Sequence, residues 1–270
     1  MSLNQYSESS AQPGLSAEKL KVLNIITPPI AEQTATMQQL LTGKTRLPQF
    51  ALREDGTAKG YKASELGEIP EDWESVQLGD LVEKIIGSGT PRRNNPSYWG
   101  NSIPWVTVKD FSTFNPLSTQ ESITNEGLKN SSSNLIPKGT LITSTRMALG
   151  KAVIYEVNVA INQDLKAIFP SSKLLMKYLY FWFEINSHLI DELGSGSTVK
   201  GLSLADLKSI LFLLPNKTEQ TTIATILSNM DEEIQSLQQR LIKTRQIKQG
   251  MMQELLTGKT RLVKPTQQRN

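Results

Sequence analysis

The chain has 270 residues, 38% hydrophobic and 20% charged, with 29 basic and 26 acidic side chains giving a net charge of +3. That length and balance suit one full-sized core with an appendage and exclude a collagen-like fibre or a globally disordered chain. Zero cysteines and a single histidine, His188, also exclude disulfides, zinc fingers, thiol nucleophiles and His-rich metal clusters. The start is rich in Ser and Gln, and the longest apolar run, 174–183, is interrupted by Lys177. The expectation is a soluble, cytoplasmic protein with no signal peptide and no membrane contact.

In chain order, residues 1–15 read as a disordered tail, and 16–47 as the truncated remnant of a first unit, with a short helix near 31–42. Residues 48–67 carry Gly56, Gly60 and mixed charges and read as a linker. From 68 to 215 the pattern is that of an α+β domain. Runs rich in β-branched residues at 103–108, 140–144, 151–155, 159–161 and 166–169 predict strands, separated by clusters of Gly, Pro, Asn and Ser. The stretch 174–193 predicts an amphipathic helix stopped by Gly194, before a Gly-Ser loop and the apolar run 210–214.

Residues 216–258 predict one long coiled-coil helix over about 218–256, and 259–270 a tail. Ile223, Leu227, Met230, Ile234, Leu237, Leu241, Thr244, Lys248, Met251 and Leu255 alternate spacings of four and three. The eight apolar members of that series are the predicted dimer interface. Asn216 with Glu219 supplies a capping box, and Gly258 a stop. At 1.5 Å per residue such a helix is roughly 58 Å long, so its seam outruns a small domain and needs a partner helix.

Both ends share one plan. Residues 37–47, Met-Gln-Gln-Leu-Leu-Thr-Gly-Lys-Thr-Arg-Leu, recur at 252–262 with ten of eleven identical, at an offset of 215. A second match at an offset of 187 aligns Ser16, Leu20, Lys21, Pro28, Glu32 and Gln33 with Ser203, Leu207, Lys208, Pro215, Glu219 and Gln220. The offsets differ by 28 residues, four heptads, so the first copy is the second with helix removed.

Charge is segregated: 68–83 holds six acids and no base, 84–177 eleven bases against five acids, and 216–270 nine against five. Segregated positive charge is one footprint of nucleic-acid binding, although a solvated surface has the same appearance. Other motifs dissolve on inspection. Gly43-Lys44-Thr45 and Gly258-Lys259-Thr260 lack the glycine five residues earlier that a phosphate loop needs, that place being Gln38 or Gln253. Asn95-Pro96-Ser97-Tyr98 is close to a base-flipping motif of adenine methyltransferases, but its third residue is Ser, and no glycine-rich cofactor turn accompanies it. It reads as a turn, and His188 as a packed or surface residue.

The ordered blocks 67–74 (Gly-Glu-Ile-Pro-Glu-Asp-Trp-Glu), Leu78-Gly79-Asp80, Ser88-Gly89-Thr90-Pro91, 95–100, Ile103-Pro104-Trp105-Val106, 136–140, Ser144-Thr145-Arg146, Ile161-Asn162-Gln163-Asp164 and Leu255-Leu256-Thr257-Gly258-Lys259 carry a family resemblance. Over roughly 16–262 the chain resembles the specificity subunit of type I restriction-modification enzymes. The resemblance implies a DNA-reading target recognition domain at 68–215 and a helix that spaces and docks methyltransferase subunits. It also implies partners that bring their own cofactors: S-adenosylmethionine for adenine N6 methylation, and ATP with Mg²⁺ for a restriction subunit. This chain itself is expected to hold no cofactor and to catalyse nothing. A usual member has two recognition domains and two long helices. One of each here reads as a half-length subunit that homodimerises, with the two domains reading an interrupted palindrome.

Candidate DNA contacts are Arg92, Arg93 and Asn94 in a Pro-flanked loop, Lys109, the Ser144-Thr145-Arg146 turn, Lys151, Asn162, Gln163 and Lys200. Arg holds guanine O6 and N7 bidentately, and Asn or Gln does the same for adenine N6 and N7; the three lysines fit phosphates. Asn162-Gln163 satisfying turn backbone, Arg146 in an ion pair, and Trp99 and Trp105 as core are the competing readings. Two other classes stay open: a coiled-coil structural or regulatory protein that binds methyltransferase subunits without reading DNA, and an autonomous DNA methyltransferase or nuclease.

Overall fold

The computed structural model of the protein describes residues 7–8, 14–15, 30–194 and 201–258. Two compact units result, Thr34–Ser228 and a second one formed by residues 1–33 and 229–270. Within the stretch expected to be a disordered tail, Ser7–Glu8 pairs antiparallel with Gly14–Leu15. The tail at 259–270 lies outside the described residues. Among the described residues no helix is long and apolar enough to cross a membrane.

The expected α+β character holds. Two four-stranded sheets form the centre of the larger unit. With β1 Tyr61–Ser64, β2 Gly67–Pro70, β3 Glu74–Gln77, β4 Val82–Ile86, β5 Trp99–Val106, β6 Glu121–Ile123, β7 Leu135–Ile136, β8 Leu141–Ser144, β9 Ala152–Ile154, β10 Val159–Ile161, β11 Leu165–Pro170 and β12 Leu211–Leu214, their orders are β9-β8-β11-β4 and β6-β5-β10-β7. Every pairing is antiparallel except β10 with β5, where Ala160 faces Trp105 and Ile161 faces Val106.

Side-chain alternation explains why β10 is buried on both faces. Val159 and Ile161 join Val106, Ile136, Ile142, Val153, Leu165 and Ala167 in a cluster drawn from both sheets, while Ala160 points with Ile103, Trp105 and Ile123 to the opposite face. All five predicted strands exist. Those missed, β1, β2, β3, β4, β6 and β7, are short or carry charges within the strand, so their composition conceals a conformation imposed by neighbours.

Residues 48–67 are not a linker. They form a helical turn Pro48–Ala51, a bridge from Leu52 to Ala58 and half of the β1-β2 hairpin. Of the two glycines that suggest a linker, Gly56 adopts a φ of +83°, a turn position that only glycine fills easily, as does Gly67 at +93° in the hairpin turn. The helix expected at 174–193 is interrupted. Asn186 ends Met176–Ile185 by donating its side-chain and backbone N–H groups to the Trp182 carbonyl, and Ser187–Gly194 follows. The rings of Tyr178 and Trp182 pack on Phe212 of β12.

The two terminal helices, α1 (Ile30–Leu41) and α2 (Lys217–Leu256, 40 residues), lie where periodicity places them. Gly43 and Gly258 follow them with φ of +71° and +69°, the left-handed stop expected of each. Half of the expected capping box forms at α2: Glu219 N–H donates to Asn216 Oδ1 at 2.9 Å, but the Glu219 carboxylate turns inward. Gln220 is fully buried; its side chain accepts from Leu175 N–H and donates to the Lys173 and Pro215 carbonyls. Ile223 and Leu227 are buried as well. These two belong to the core of the globular unit and drop out of the predicted dimer interface. In the second unit, Met230, Ile234, Leu237 and Leu241 are half-buried, and Met251 and Leu255 exposed.

Candidate nucleic-acid interface

Five segments far apart in sequence meet around one cleft of about 250 Å³, lined among others by Thr90, Arg93, Lys109, Glu121, Met147 and Gln163. Its floor is Trp105, buried in β5, with Trp99 packed edge-on against it at 5.0 Å. Arg93 reaches back from the 90–95 loop, its guanidinium 4.0 Å from the Trp99 ring centre and 4.8 Å from that of Trp105. It pairs through both Nη atoms with Glu121, one contact measuring 3.0 Å. That hydrogen bond holds the Glu121 carboxyl below its ordinary range and raises the Arg93 guanidinium above its own, against partial burial in both cases. Stacking plus bidentate pairing fixes the plane of the guanidinium, whose two Nη donors are engaged by Glu121.

Lys109 follows Thr107, whose capping box with the buried Asp110 shapes the loop. Asp110 accepts from Thr107 N–H and Gln120 N–H, each at 2.8 Å, and from the Thr107 hydroxyl at 3.0 Å. The loop is thereby rigid while the Lys109 side chain stays exposed. On the opposite rim, Asn162 is a buried turn residue: its Oδ1 accepts from Asp164 N–H and its Nδ2 donates to Asp164 Oδ2. The turn-satisfying alternative therefore describes Asn162, and it is not an exposed base reader. Gln163 is exposed and accepts from the Thr90 hydroxyl, which ties the two loops together.

The Ser144-Thr145-Arg146 turn divides in the same way. Ser144 and Thr145 are buried, Thr145 being held by its N–H and hydroxyl to the Asp164 carbonyl. They support the loop and do not offer a contact surface. Arg146 is exposed and lies 3.6 Å from Asp164, as its ion-pair reading holds. Lys166, behind this rim, donates to the Gln163 carbonyl at 3.0 Å, and burial lowers its pKa.

The remaining candidates lie elsewhere. Arg92 and Asn94 are exposed on the 90–95 loop, where the Arg92 carbonyl accepts from Trp99 Nε1 at 3.2 Å. Lys151 lines a different depression, with Phe111, Phe114 and Glu184, and so is separated from the cleft group. Lys200 lies outside the described residues. Asn95 accepts from Ser97 N–H in a short 3-10 turn, as the turn reading required. His188 is exposed and 3.2 Å from Glu192 on the next turn of its helix.

Sequence reasoning missed Thr90, Glu121, Met147 and Asp164. Asp164 stands within the quoted Ile161–Asp164 block, the one signal that points to it. Met147 had none, yet it is 63% exposed on the cleft rim beside Ala148, whose φ is +52°.

The family described as Type I restriction modification DNA specificity domain matches residues 70–245. The chain is 31% identical over 181 residues to the type I restriction enzyme MjaIX specificity subunit of Methanocaldococcus jannaschii, covering 65% of this chain and 42% of that one. It is 28% identical over 249 residues to the EcoR124I/EcoR124II specificity subunit of Escherichia coli, covering 87% and 56%. The chain thus spans about half the length of these curated relatives. The crystal structure of the HsdS subunit from Thermoanaerobacter tengcongensis has the same fold over 83% of this chain and 50% of that one, with a TM-score of 0.54 at 18% identity.

Proposed function

The chain belongs to the type I restriction modification DNA specificity family, and on that premise we propose that it reads DNA sequence as a half-length specificity subunit and performs no catalysis. The observation that carries the reading is the cleft, where Arg93, Lys109 and Gln163 converge from three loops on an aromatic floor. Arg93 supplies a planar fork suited to guanine once DNA displaces Glu121 from it, and Gln163 an amide suited to adenine. Lys109, with Arg146 and Arg92 nearby in sequence to the rim segments, supplies phosphate attraction. Lys151, on its separate surface, serves as a backbone contact at most.

Two chains pair through the outer part of α2, antiparallel, with Met230, Ile234, Leu237, Leu241, Met251 and Leu255 in the seam. Two-fold pairing makes the interface self-complementary and gives each chain the same half-site. Methyltransferase subunits, bringing S-adenosylmethionine, and an ATP-dependent restriction subunit dock on this scaffold; the setting is cytoplasmic.

Long-read methylation mapping in cells carrying this chain with its modification subunits tests the reading. An inverted repeat of one short element around an unspecified spacer is expected. A methylated site with two different halves would overturn the homodimer, and no sequence-dependent methylation at all would favour a structural protein that only occupies methyltransferase subunits.

A further inference from the structure

DNA reading accounts for the polar lining of the cleft and leaves one rim residue without a role. Of the apolar residues that line it, Trp105 is buried and Val108 half-buried, but Met147 is 63% exposed. A single exposed methionine is ordinary on a protein surface. What distinguishes this one is the turn that holds it out. Ala148, the next residue, adopts a φ of +52°, and among the described residues it is the only one other than glycine with a positive φ. That left-handed conformation is unfavourable for alanine and persists where the surroundings fix the chain on both sides.

Both sides are fixed here. Before the turn, the N–H and hydroxyl of Thr145 donate to the Asp164 carbonyl at 3.0 and 3.2 Å, and the Thr145 carbonyl accepts from Leu202 N–H at 2.9 Å. Within it, the Ala148 carbonyl accepts from Lys151 N–H at 3.2 Å. After it, Leu149 is buried and lies so close to Gly194 that a Cβ there would be 2.2 Å from Leu149 Cδ1. Gly150, at φ +75°, presses on Ser187, whose carbonyl oxygen would lie 2.5 Å from a Cβ. The chain is thus anchored at 145 and again at 149–150. The side chains left facing solvent between these anchors are those of Arg146 and Met147, with Ala148 half-buried.

We infer that Met147 is a specificity-determining contact for thymine, its side chain packing on the 5-methyl group of one thymine in the half-site. The inference rests on the DNA reading proposed above, in which Arg93 and Gln163 take the major-groove edges of guanine and adenine. On those edges the base pairs offer donors and acceptors to polar side chains, and the thymine methyl is the one apolar group that projects. The cleft has the same division. Arg93, Lys109 and Gln163 supply its exposed polar groups, and Met147 its exposed apolar one. A thioether with three rotatable bonds adapts to a small apolar target without demanding one orientation. Arg146 beside it, with its side chain 68% exposed, supplies positive charge for the adjoining phosphate backbone.

The test uses the full chain assembled with its modification subunits, and duplexes carrying the sequence found by methylation mapping, with binding read in the absence of S-adenosylmethionine. Replacing one thymine at a time by deoxyuridine removes the methyl group alone. At one position the wild-type complex should lose about fourfold in affinity, the value of one buried methyl group. Met147→Ala should bind the thymine duplex about fourfold more weakly and be indifferent to uracil at that position, whereas Met147→Leu should keep most of the wild-type loss. Met147→Gln, similar in length but polar, repeats the alanine measurement should the shorter side chain disturb the turn. Equal uracil sensitivity in wild type and in these two variants, no sensitivity at any thymine, or a half-site without an A·T pair would overturn the assignment and leave DNA reading standing. A wild-type complex with no sequence preference at all would end DNA reading and this contact together. If Met147→Ala keeps the wild-type thermal midpoint yet fails to assemble with the modification subunits, Met147 is a contact between proteins and the inference falls.

Discussion

Arg46 shows how one side chain can hold distant segments together and carry a pH signature. It is buried against Glu219, with Asp72 on its outer side, and Lys59 reaches Asp72 at 2.7 Å. Burial works against the Asp72 charge, yet the hydrogen bonds and charges of Arg46 and Lys59 outweigh it and pull the carboxyl down to about 2 from 3.8. A folded value below the unfolded one stabilises above about pH 4, and that contribution is lost as the pH falls toward 2. Glu219 runs the other way: burial raises its pKa despite Trp73 and Arg46, so its contribution is complete in acid and declines as pH rises through its folded value. Asp72→Asn should therefore be less stable than wild type by about 2 kcal/mol near pH 6, with the difference closing by pH 2 in denaturant titrations. In the cleft, Arg93→Ala should relax discrimination at one base pair by about 1–3 kcal/mol. Lys109→Ala should weaken all sequences alike and reduce the salt slope by about one. Competition binding across substituted duplexes distinguishes the two patterns, and an unchanged preference in Arg93→Ala would remove it from the readers.

At the scale of elements, α2 is one helix with two jobs divided along its length. Its first turns are core: Gln220 staples the loop at 173–175 and Pro215, while Ile223 and Leu227 are buried. Its outer turns carry the rest of the apolar seam, with Met230, Ile234, Leu237 and Leu241 half-buried and Met251 and Leu255 exposed. Leu237→Asp with Leu241→Asp should dissociate the dimer and leave the thermal midpoint of the globular unit nearly unchanged, because an unpaired carboxylate in a seam costs several kcal/mol only where partners meet. Leu227→Ala should instead destabilise the fold by about 2–5 kcal/mol whatever the oligomeric state. Light scattering alongside thermal melts checks both; a double mutant that stays dimeric at micromolar concentration would move the interface elsewhere. The heptad periodicity was legible throughout, but it is the same for a core helix and a dimer helix, so the division near Ser228 was not.

At the scale of the whole molecule, the proposed pairing of two chains would make the helices a ruler between recognition domains. A heptad inserted within 230–250 adds about 10 Å of helix, and a base pair spans about 3.4 Å. The methylated repeat should then tolerate a spacer longer by about three base pairs, with activity falling if the added rotation takes the domains out of phase with the grooves. Methylation mapping of the insertion variant checks this, and an unchanged spacer would mean that the helices do not set the separation.

Periodicity, repeats and turn chemistry determined the elements that are locally encoded. The strand β10, both terminal helices and their glycine stops at 43 and 258 all lie where the residues place them, since 3.6-residue and two-residue patterns and left-handed glycines act over a few positions. The ordered motif blocks carried the family. Tertiary structure alone decided which of two chemically similar neighbours faces solvent: Gln163 and not Asn162, Arg146 and not Ser144 or Thr145. It also decided that 48–67 folds and that Glu219 leaves its capping box for Arg46 and Trp73. The outcomes at Gln163 and Glu219 depend on partners 73 to 173 residues away, and a buried polar group such as Glu219 goes where such a partner satisfies it because leaving it unpaired costs more than abandoning a local bond.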